Sequence, residues 1–195
     1  MVKSAPVTLS RRMLLAVAST LPLVRPAAAM EPIDLVYSSG RLVWPAGSAR
    51  AACGKGGVRA AKREGDGASP AGAFPVLDAY YRPDRLVRPQ TALPLGALRP
   101  DMGWVDDPAD RNYNRLVTLP YPAHHETLWR EDGIYDLIVV IGYNTGPVVP
   151  GAGSAIFLHV ARPDFSPTVG CIAVAEPVLT MLLGLLGPGS TITIA

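Results

Sequence analysis

The sequence predicts a mainly β domain, a barrel or sandwich of short strands with few short helices. Three observations carry this. Twenty prolines and nineteen glycines punctuate the 195 residues and exclude long helices over most of the chain. Short apolar, β-branched runs recur between those breaks. A single helical pattern stands out, near the C-terminus.

The runs read as strands are Ile33 to Tyr37, Leu42 to Trp44, Ala73 to Leu77, Leu116 to Leu119, Leu137 to Ile141, Ala155 to Val160, Ile172 to Val174 and Thr191 to Ile194. Ser38-Ser39-Gly40 joins the first two as a hairpin turn. The predicted helix covers Pro177 to Leu186, with Pro177 at its first position and Gly187 as its stop. Val178, Met181, Leu182, Leu185 and Leu186 repeat at helical spacing and are expected to pack on the sheet. The stretch from Arg82 to Tyr113, rich in Pro, Asp and Arg, reads as loop, either walling a cleft or covering the barrel. No internal repeat or domain linker is visible.

The N-terminal segment reads differently. Lys3, Arg11 and Arg12 precede an apolar run from Met13 to Val24, and Ala27-Ala28-Ala29 offers a small-residue cleavage site before Met30. This is a secretory signal over residues 1–29, leaving one domain over 30–195. The Arg11-Arg12 pair and Arg25 point to the twin-arginine route; an ordinary secretory signal is the alternative. The expected location is periplasmic, with membrane contact only during export. The signal holds four of the 18 Lys+Arg and none of the 16 Asp+Glu. The remainder has 14 basic against 16 acidic side chains, a formal −2, and gives no case for nucleic-acid binding. Three histidines and two cysteines are too scattered for a metal-site spacing. His124-His125 reads as a surface pair, because adjacent residues of an extended chain face opposite ways. No phosphate-binding glycine loop precedes a helix.

The chemistry concentrates in Ile156 to Val174, IFLHVARPDFSPTVGCIAV. His159 and Cys171 each sit beside an apolar, strand-like run, and Gly170 before the cysteine permits a tight turn. A thiol on such a turn with an imidazole on the neighbouring strand suits cysteine acyl transfer. On those two residues alone, a buried structural cysteine with a satisfied surface histidine is the default reading. Cys53 is the other cysteine, and in an exported protein a Cys53–Cys171 disulfide would lock the thiol away.

Longer motifs surround that pair. Thr168-Val169-Gly170-Cys171-Ile172-Ala173 resembles the Ser/Thr-His-Gly-Cys-Ile/Val-Arg signature of the L,D-transpeptidase catalytic domain, the YkuD domain. Lys62-Arg63-Glu64-Gly65-Asp66-Gly67-Ala68-Ser69-Pro70-Ala71-Gly72 is similar to that family's Lys-x-Glu-Gly-Asp-Gly-x-Thr-Pro-x-Gly element. Ile141-Gly142-Tyr143-Asn144 and Gly153 to His159 resemble its central and histidine strands. The likeness runs in order from about Val36 to Ile194.

The resemblance implies the YkuD-type barrel or sandwich, and an acyltransferase acting on peptidoglycan stem peptides without metal or organic cofactor. Cys171 would be the nucleophile and His159 the base, then the acid for the leaving amine. A carbonyl near Val160 would orient the imidazole, with Asp164 as the side-chain alternative. Amides around Val169, Gly170 and Cys171 would form the oxyanion site. Tyr143 and Asn144 would lie near the cleft, holding polar groups of the peptide; by sequence alone they read equally well as a turn. Glu64 and Asp66 would structure a sheet edge. Two positions depart from the family pattern: Val169 stands where it has histidine, and Ala173 where it has arginine. Arg162 is the candidate replacement charge. The acceptor would be a second stem peptide or a protein amine. The alternatives are a hydrolase on the same fold and a catalytically silent wall-binding module.

Overall fold

The computed structural model describes residues 1–2 and 31–195. The expected export signal over residues 1–29, apart from Met1 and Val2, lies outside the described residues. Fourteen strands and one α-helix are found among the described residues. In chain order they are β1 (Asp34–Ser38), β2 (Arg41–Trp44), β3 (Gly47–Ala52), β4 (Val58–Arg59), β5 (Ser69–Pro70), β6 (Gly72–Tyr81), β7 (Leu95–Ala97), β8 (Met102–Val105), β9 (Leu116–Thr118), β10 (His125–Thr127), β11 (Leu137–Ile141), β12 (Phe157–Val160), β13 (Ile172–Val174), α1 (Glu176–Leu183) and β14 (Thr191–Ile194). No described helix is long and apolar enough to cross a membrane.

The main sheet runs β11-β12-β13-β3-β2-β1-β14-β6-β7, and β6 also pairs with β11. The extra pairing closes eight strands into a barrel with β7 attached to the long strand β6. Two strands turn its corners. The first half of β3 pairs with β2 and its end with β13. The first half of β6 pairs with β14 and its second half with β11, with a register shift between Val139 and Ile141. Closure leaves few open edges to pair with other chains. Beside the barrel lie a three-stranded sheet, β10-β8-β9, and a two-stranded one, β4-β5.

Alternation along the strands divides the apolar side chains between two cores. Leu35, Leu42, Val139, Ile141, Leu158, Ile172 and Val174 fill the barrel together with leucines of α1. Ile138, Val140, Phe157 and Cys171 face the other way, toward Met102 and Trp104 of β8 and toward Leu128, Ile134 and Tyr135. All five residues of β11 are therefore buried, because both of its faces are covered.

Two expectations change. The helix buries Leu179, Leu182 and Leu183, with Leu186 just beyond, while Met181 is 41% exposed. Pro177-Val178-Leu179-Thr180-Met181-Leu182-Leu183 is apolar enough to offer two overlapping stripes, and barrel docking selects the one through Leu179. The helix also stops earlier than expected, at Gly184 rather than Gly187. The loop-like stretch from Arg82 to Tyr113 contains β7 and β8; β8 covers the barrel and pairs with β10, whose residues line one wall of a cleft. Its strands are only three and four residues long, too short for a period-2 signal to register.

Candidate active site

A cleft of about 470 Å³ opens between the outer face of β12–β13 and the three-stranded sheet. His159 and Cys171 both line it. Their placement follows from strand register. The parallel strands β12 and β13 pair Leu158 with Ile172 and His159 with Ala173. Leu158 and Ile172 point into the barrel, so Phe157, His159, Cys171 and Ala173 share the outer face. His159 and Cys171 are diagonal neighbours, roughly 8 Å apart at Cα from strand spacing and rise. An imidazole and a thiol together bridge that gap.

The turn into Cys171 is tightly braced. Gly170 has φ +143°, and a Cβ there would lie 3.0 Å from the Ala68 carbonyl oxygen and 3.2 Å from Ile156 Cδ1. Only glycine fits this position without displacing backbone. Ser69 Oγ donates to the Gly170 carbonyl at 2.7 Å and accepts from the Gly54 amide at 3.0 Å. Thr168 Oγ1 donates to the Cys171 carbonyl at 2.7 Å and accepts from the Gly170 amide at 3.1 Å. Thr168 is itself stitched to the chain beside Cys53, through Thr168 N–H to Cys53 O and Lys55 N–H to Thr168 O. The Gly170 amide is thus occupied, while the Cys171 amide makes no hydrogen bond among the described residues.

The Lys62 to Gly72 element scaffolds this turn. Buried Lys62 pairs with Asp66 at 2.9 Å. Burial would raise the Asp66 carboxyl, but hydrogen bonds from the Arg63 and Ala68 amides and from Lys62 hold it below the usual range. Glu64 accepts from Tyr113 Oη at 2.5 Å and Ser154 Oγ at 2.6 Å, tying the element to the chain entering β12.

Cys171 is 6% exposed. Its sulfur donates to Ala155 O at 3.2 Å and accepts from the Phe157 amide at 3.3 Å. Burial pushes the thiol up to about 12, and the Glu126 charge pushes the same way; the Phe157 amide, Lys62 and Tyr135 oppose both. His159 Nδ1 lies 2.9 Å from Val160 O. A carbonyl only accepts, so Nδ1 carries the proton and Nε2 keeps its lone pair. Burial pushes the imidazole down to about 4, Val160 O pulls it back up, and Arg162 and Arg130 add to the fall. The resting pair is therefore neutral thiol and neutral imidazole. The ion pair that a Cys/His motif suggests is disfavoured because both groups are desolvated. No hydrogen bond joins the two side chains in this state.

The other expected residues scatter. Val169 lines the cleft at 70% exposure, and Arg162 lines it 3.8 Å from Asp132. Tyr143 and Asn144 lie off the cleft lining: Tyr143 Oη donates to Ala152 O at 2.5 Å, and Asn144 bonds Val149 and Gly153, bracing their own loop. The Asp164 carboxylate accepts from the Ser166 amide, so Val160 O is the imidazole's orienter. Cys53 and Cys171 are both free thiols, and no disulfide joins them. His124 and His125 both line the far wall of the cleft; His124 bonds Asp106 at 2.5 Å, which raises its basicity.

Four further residues of the site have no obvious sequence signal. Tyr135 packs its ring edge-on against His159 and Phe157 at 5.3 and 5.9 Å, and its hydroxyl donates to Glu126 Oε1 at 2.6 Å. Arg130 is held bidentately by Asp132 on the cleft wall. Buried Asn114 bonds Trp104, the Ala155 amide and the carbonyls of Tyr143 and Asn144, fixing the segment whose carbonyl meets the thiol. Among the described residues, no group of three His, Cys, Asp or Glu side chains could hold a metal ion.

The family model of the L,D-transpeptidase catalytic domain (YkuD) matches residues 33–194, nearly the whole described domain. No curated protein and no solved structure matches. The closed barrel, the braced Gly-Cys turn and the histidine strand beside it thus coincide with a match over most of the chain, which belongs to the L,D-transpeptidase catalytic domain family.

Proposed function

We propose that this protein is a periplasmic L,D-transpeptidase that acts on peptidoglycan stem peptides through a Cys171 acyl-enzyme. Family membership supports an L,D-transpeptidase-type function on peptidoglycan. The observation that carries the mechanism is the shared face: Cys171 and His159 are diagonal neighbours on adjacent parallel strands, at the floor of one cleft.

His159 Nε2 takes the thiol proton as sulfur attacks the carbonyl carbon of the donor peptide. With both groups neutral at rest, deprotonation accompanies attack and no standing thiolate precedes it. The Cys171 amide is placed to receive the developing oxyanion; one such donor is worth roughly 3 kcal/mol of transition-state stabilisation. The C–N bond breaks, His159 returns its proton to the departing amine, and a thioester remains on Cys171. An acceptor amine, from a second stem peptide or a protein, then displaces the thiolate. Residues 1–29 act as the export signal, with the Arg11-Arg12 pair directing the twin-arginine route.

The test is a mass measurement. Mature protein incubated with a tetrapeptide donor, or with a carbapenem as slow acyl donor, gains one acyl group on Cys171, and an added acceptor amine yields a cross-linked product. A well-folded Cys171→Ala variant that still cross-links overturns the reading. Release of free acid alone, with acceptor present, identifies a hydrolase instead. A silent wall-binding module is the second reading, favoured by a resting thiol bonded to Ala155 and Phe157 and not to His159; failure of the wild type to acylate selects it.

A further inference from the structure

The floor of the cleft holds more titratable chemistry than a cysteine and a histidine. Tyr135 stands at the start of β11, with its ring against His159, and Glu126 reaches it from β10 across the cleft. Tyr135, Glu126, His159 and Cys171 all line the same cavity. Tyr135 is 3% exposed, so its hydroxyl is not there to meet bulk water. Tyr135 and Cys171 pack in one buried cluster, and the phenol favours the Cys171 thiolate. These contacts gather three proton-carrying side chains around the Cys171 sulfur.

On the reading of Cys171 as nucleophile, we propose that Tyr135 is a further catalytic residue, its hydroxyl donating to the sulfur as negative charge develops there, and that Glu126 is the positioning residue that orients that hydroxyl. The direction of the hydrogen bonds matters. Glu126 Oε1 and Tyr135 Oη are 2.6 Å apart, and one proton lies between them. A protonated Glu126 donates to the phenol oxygen and frees the phenol hydrogen for sulfur. An ionised Glu126 takes the phenol hydrogen and adds a repelling charge beside the thiolate. Burial raises the Glu126 carboxyl, with Asp106 and Glu64 adding to the rise against Tyr135 and Arg130, so burial favours the protonated carboxyl that the donating arrangement needs in place of the resting bond from phenol to Glu126. Burial likewise holds Tyr135 in its phenol form.

The step balances without any added reagent. The thiol proton passes to His159 Nε2, the Tyr135 hydrogen bond shifts from Glu126 to sulfur, and the S–C bond forms as the carbonyl oxygen takes the negative charge; the donor C–N bond breaks when that oxyanion collapses. His159 then protonates the leaving amine, and the phenol returns to Glu126. Tyr135 contributes no net proton. Together with Lys62 and the Phe157 amide, it lowers the energy of a thiolate that burial opposes.

Alkylation of Cys171 by iodoacetamide, followed by mass against pH in the intact mature protein, tests the proposal separately from peptidoglycan activity. Tyr135→Phe is expected to displace the rate–pH curve upward by about one unit, making alkylation about ten-fold slower at any pH below it. Glu126→Leu should give a similar displacement, and Glu126→Gln should restore much of that loss, since an amide N–H can replace the carboxyl O–H toward the phenol oxygen. A Tyr135→Phe curve that superimposes on wild type overturns the proposal. So does a slower rate with an unmoved curve, which marks a packing role. If Tyr135→Phe does not fold, the glutamate pair decides: displacement by Leu with rescue by Gln supports the proposal, and a Leu curve equal to wild type overturns it. A wild type whose Cys171 neither alkylates nor acylates defeats the nucleophile reading instead.

Discussion

The two faces of β12 are built from the same short strand and do opposite work. Leu158 points into the barrel among Ile172, Val174 and the leucines of α1, at 1% exposure. His159, the next residue, points outward into a cleft with Cys171, Tyr135 and Glu126. The inner face is apolar and sealed by strand closure. The outer face is roofed by a small sheet that also brings in carboxylates and histidines. A period of two lets one strand hold a stable wall and present chemistry on it. The roof desolvates Cys171 and His159 without closing them off, and burial is the largest cause of the shift in both.

This contrast gives predictions of decreasing size. Replacing His159 by Ala should slow acylation of Cys171 by roughly 100- to 10,000-fold, the usual range for losing a general base, measured as the rate of adduct formation by mass. Its melting temperature should stay close to the parent's. An unchanged acylation rate removes His159 from the chemistry. Leu158→Ala should do the reverse: it leaves a cavity in the barrel and costs about 2–5 kcal/mol in urea unfolding, while the folded fraction acylates at the parent rate. A Leu158→Ala variant that unfolds like the parent but acylates slowly breaks the division between the two faces.

Acid stability sharpens the same comparison. The His159 imidazole is pushed down to about 4 in the folded protein, below its ordinary value of about 6.5. Between those values the unfolded chain binds the proton and the folded one does not. The stability His159 contributes is present above about 6.5 and is lost as pH falls toward 4, on the order of 3 kcal/mol over the full window. Glu126 works in the opposite sense: its raised carboxyl contributes stability at acid pH that is lost as pH rises. Urea midpoints of parent and His159→Ala, compared between pH 7 and pH 4.5, isolate the histidine, and the parent should lose more. Equal slopes would mean that the imidazole is solvated in solution.

The smallest effect lies on α1. Met181→Ala, on the exposed side, should change stability by less than about 0.5 kcal/mol, whereas Leu182→Ala, fully buried in the barrel core, should cost about 2–5 kcal/mol. Comparable losses at the two positions would place the helix in the other of its two possible rotations.

Much of the fold was legible in the sequence. Every run read as a strand, from Ile33 to Ile194, falls on a strand of the structure, within a few residues at its ends. The strands that escaped notice are short or carry weak patterns: Gly47–Ala52 begins with glycine, serine and alanine, and His125–Thr127 is polar. They become strands because neighbours supply their hydrogen bonds: Gly47–Ala52 pairs with the adjacent β2 and with the distant β13, and His125–Thr127 pairs with β8. The candidate nucleophile and base were legible because a rare thiol and a rare imidazole fall inside a motif with a family likeness. Tyr135, Glu126, Arg130 and Asn114 were not, because nothing in their local sequence sets them apart from ordinary loop residues.

By itself the sequence determined the class of fold, the order of its main strands, the Cys171/His159 pair and the need for glycine before the cysteine. Local chemistry decides these: β-branched runs, proline and glycine breaks, and residue types few enough to stand out. Only the tertiary structure decided which stripe of α1 is buried, that Tyr143 and Asn144 spend their polar groups on their own loop, and that Val160 O orients His159. It also decided that the thiol and imidazole rest neutral. Charge state depends on burial and on the carboxylates and guanidiniums that a fold brings close, and the roof that buries this pair arrives from residues 102 to 127, far along the chain from either partner.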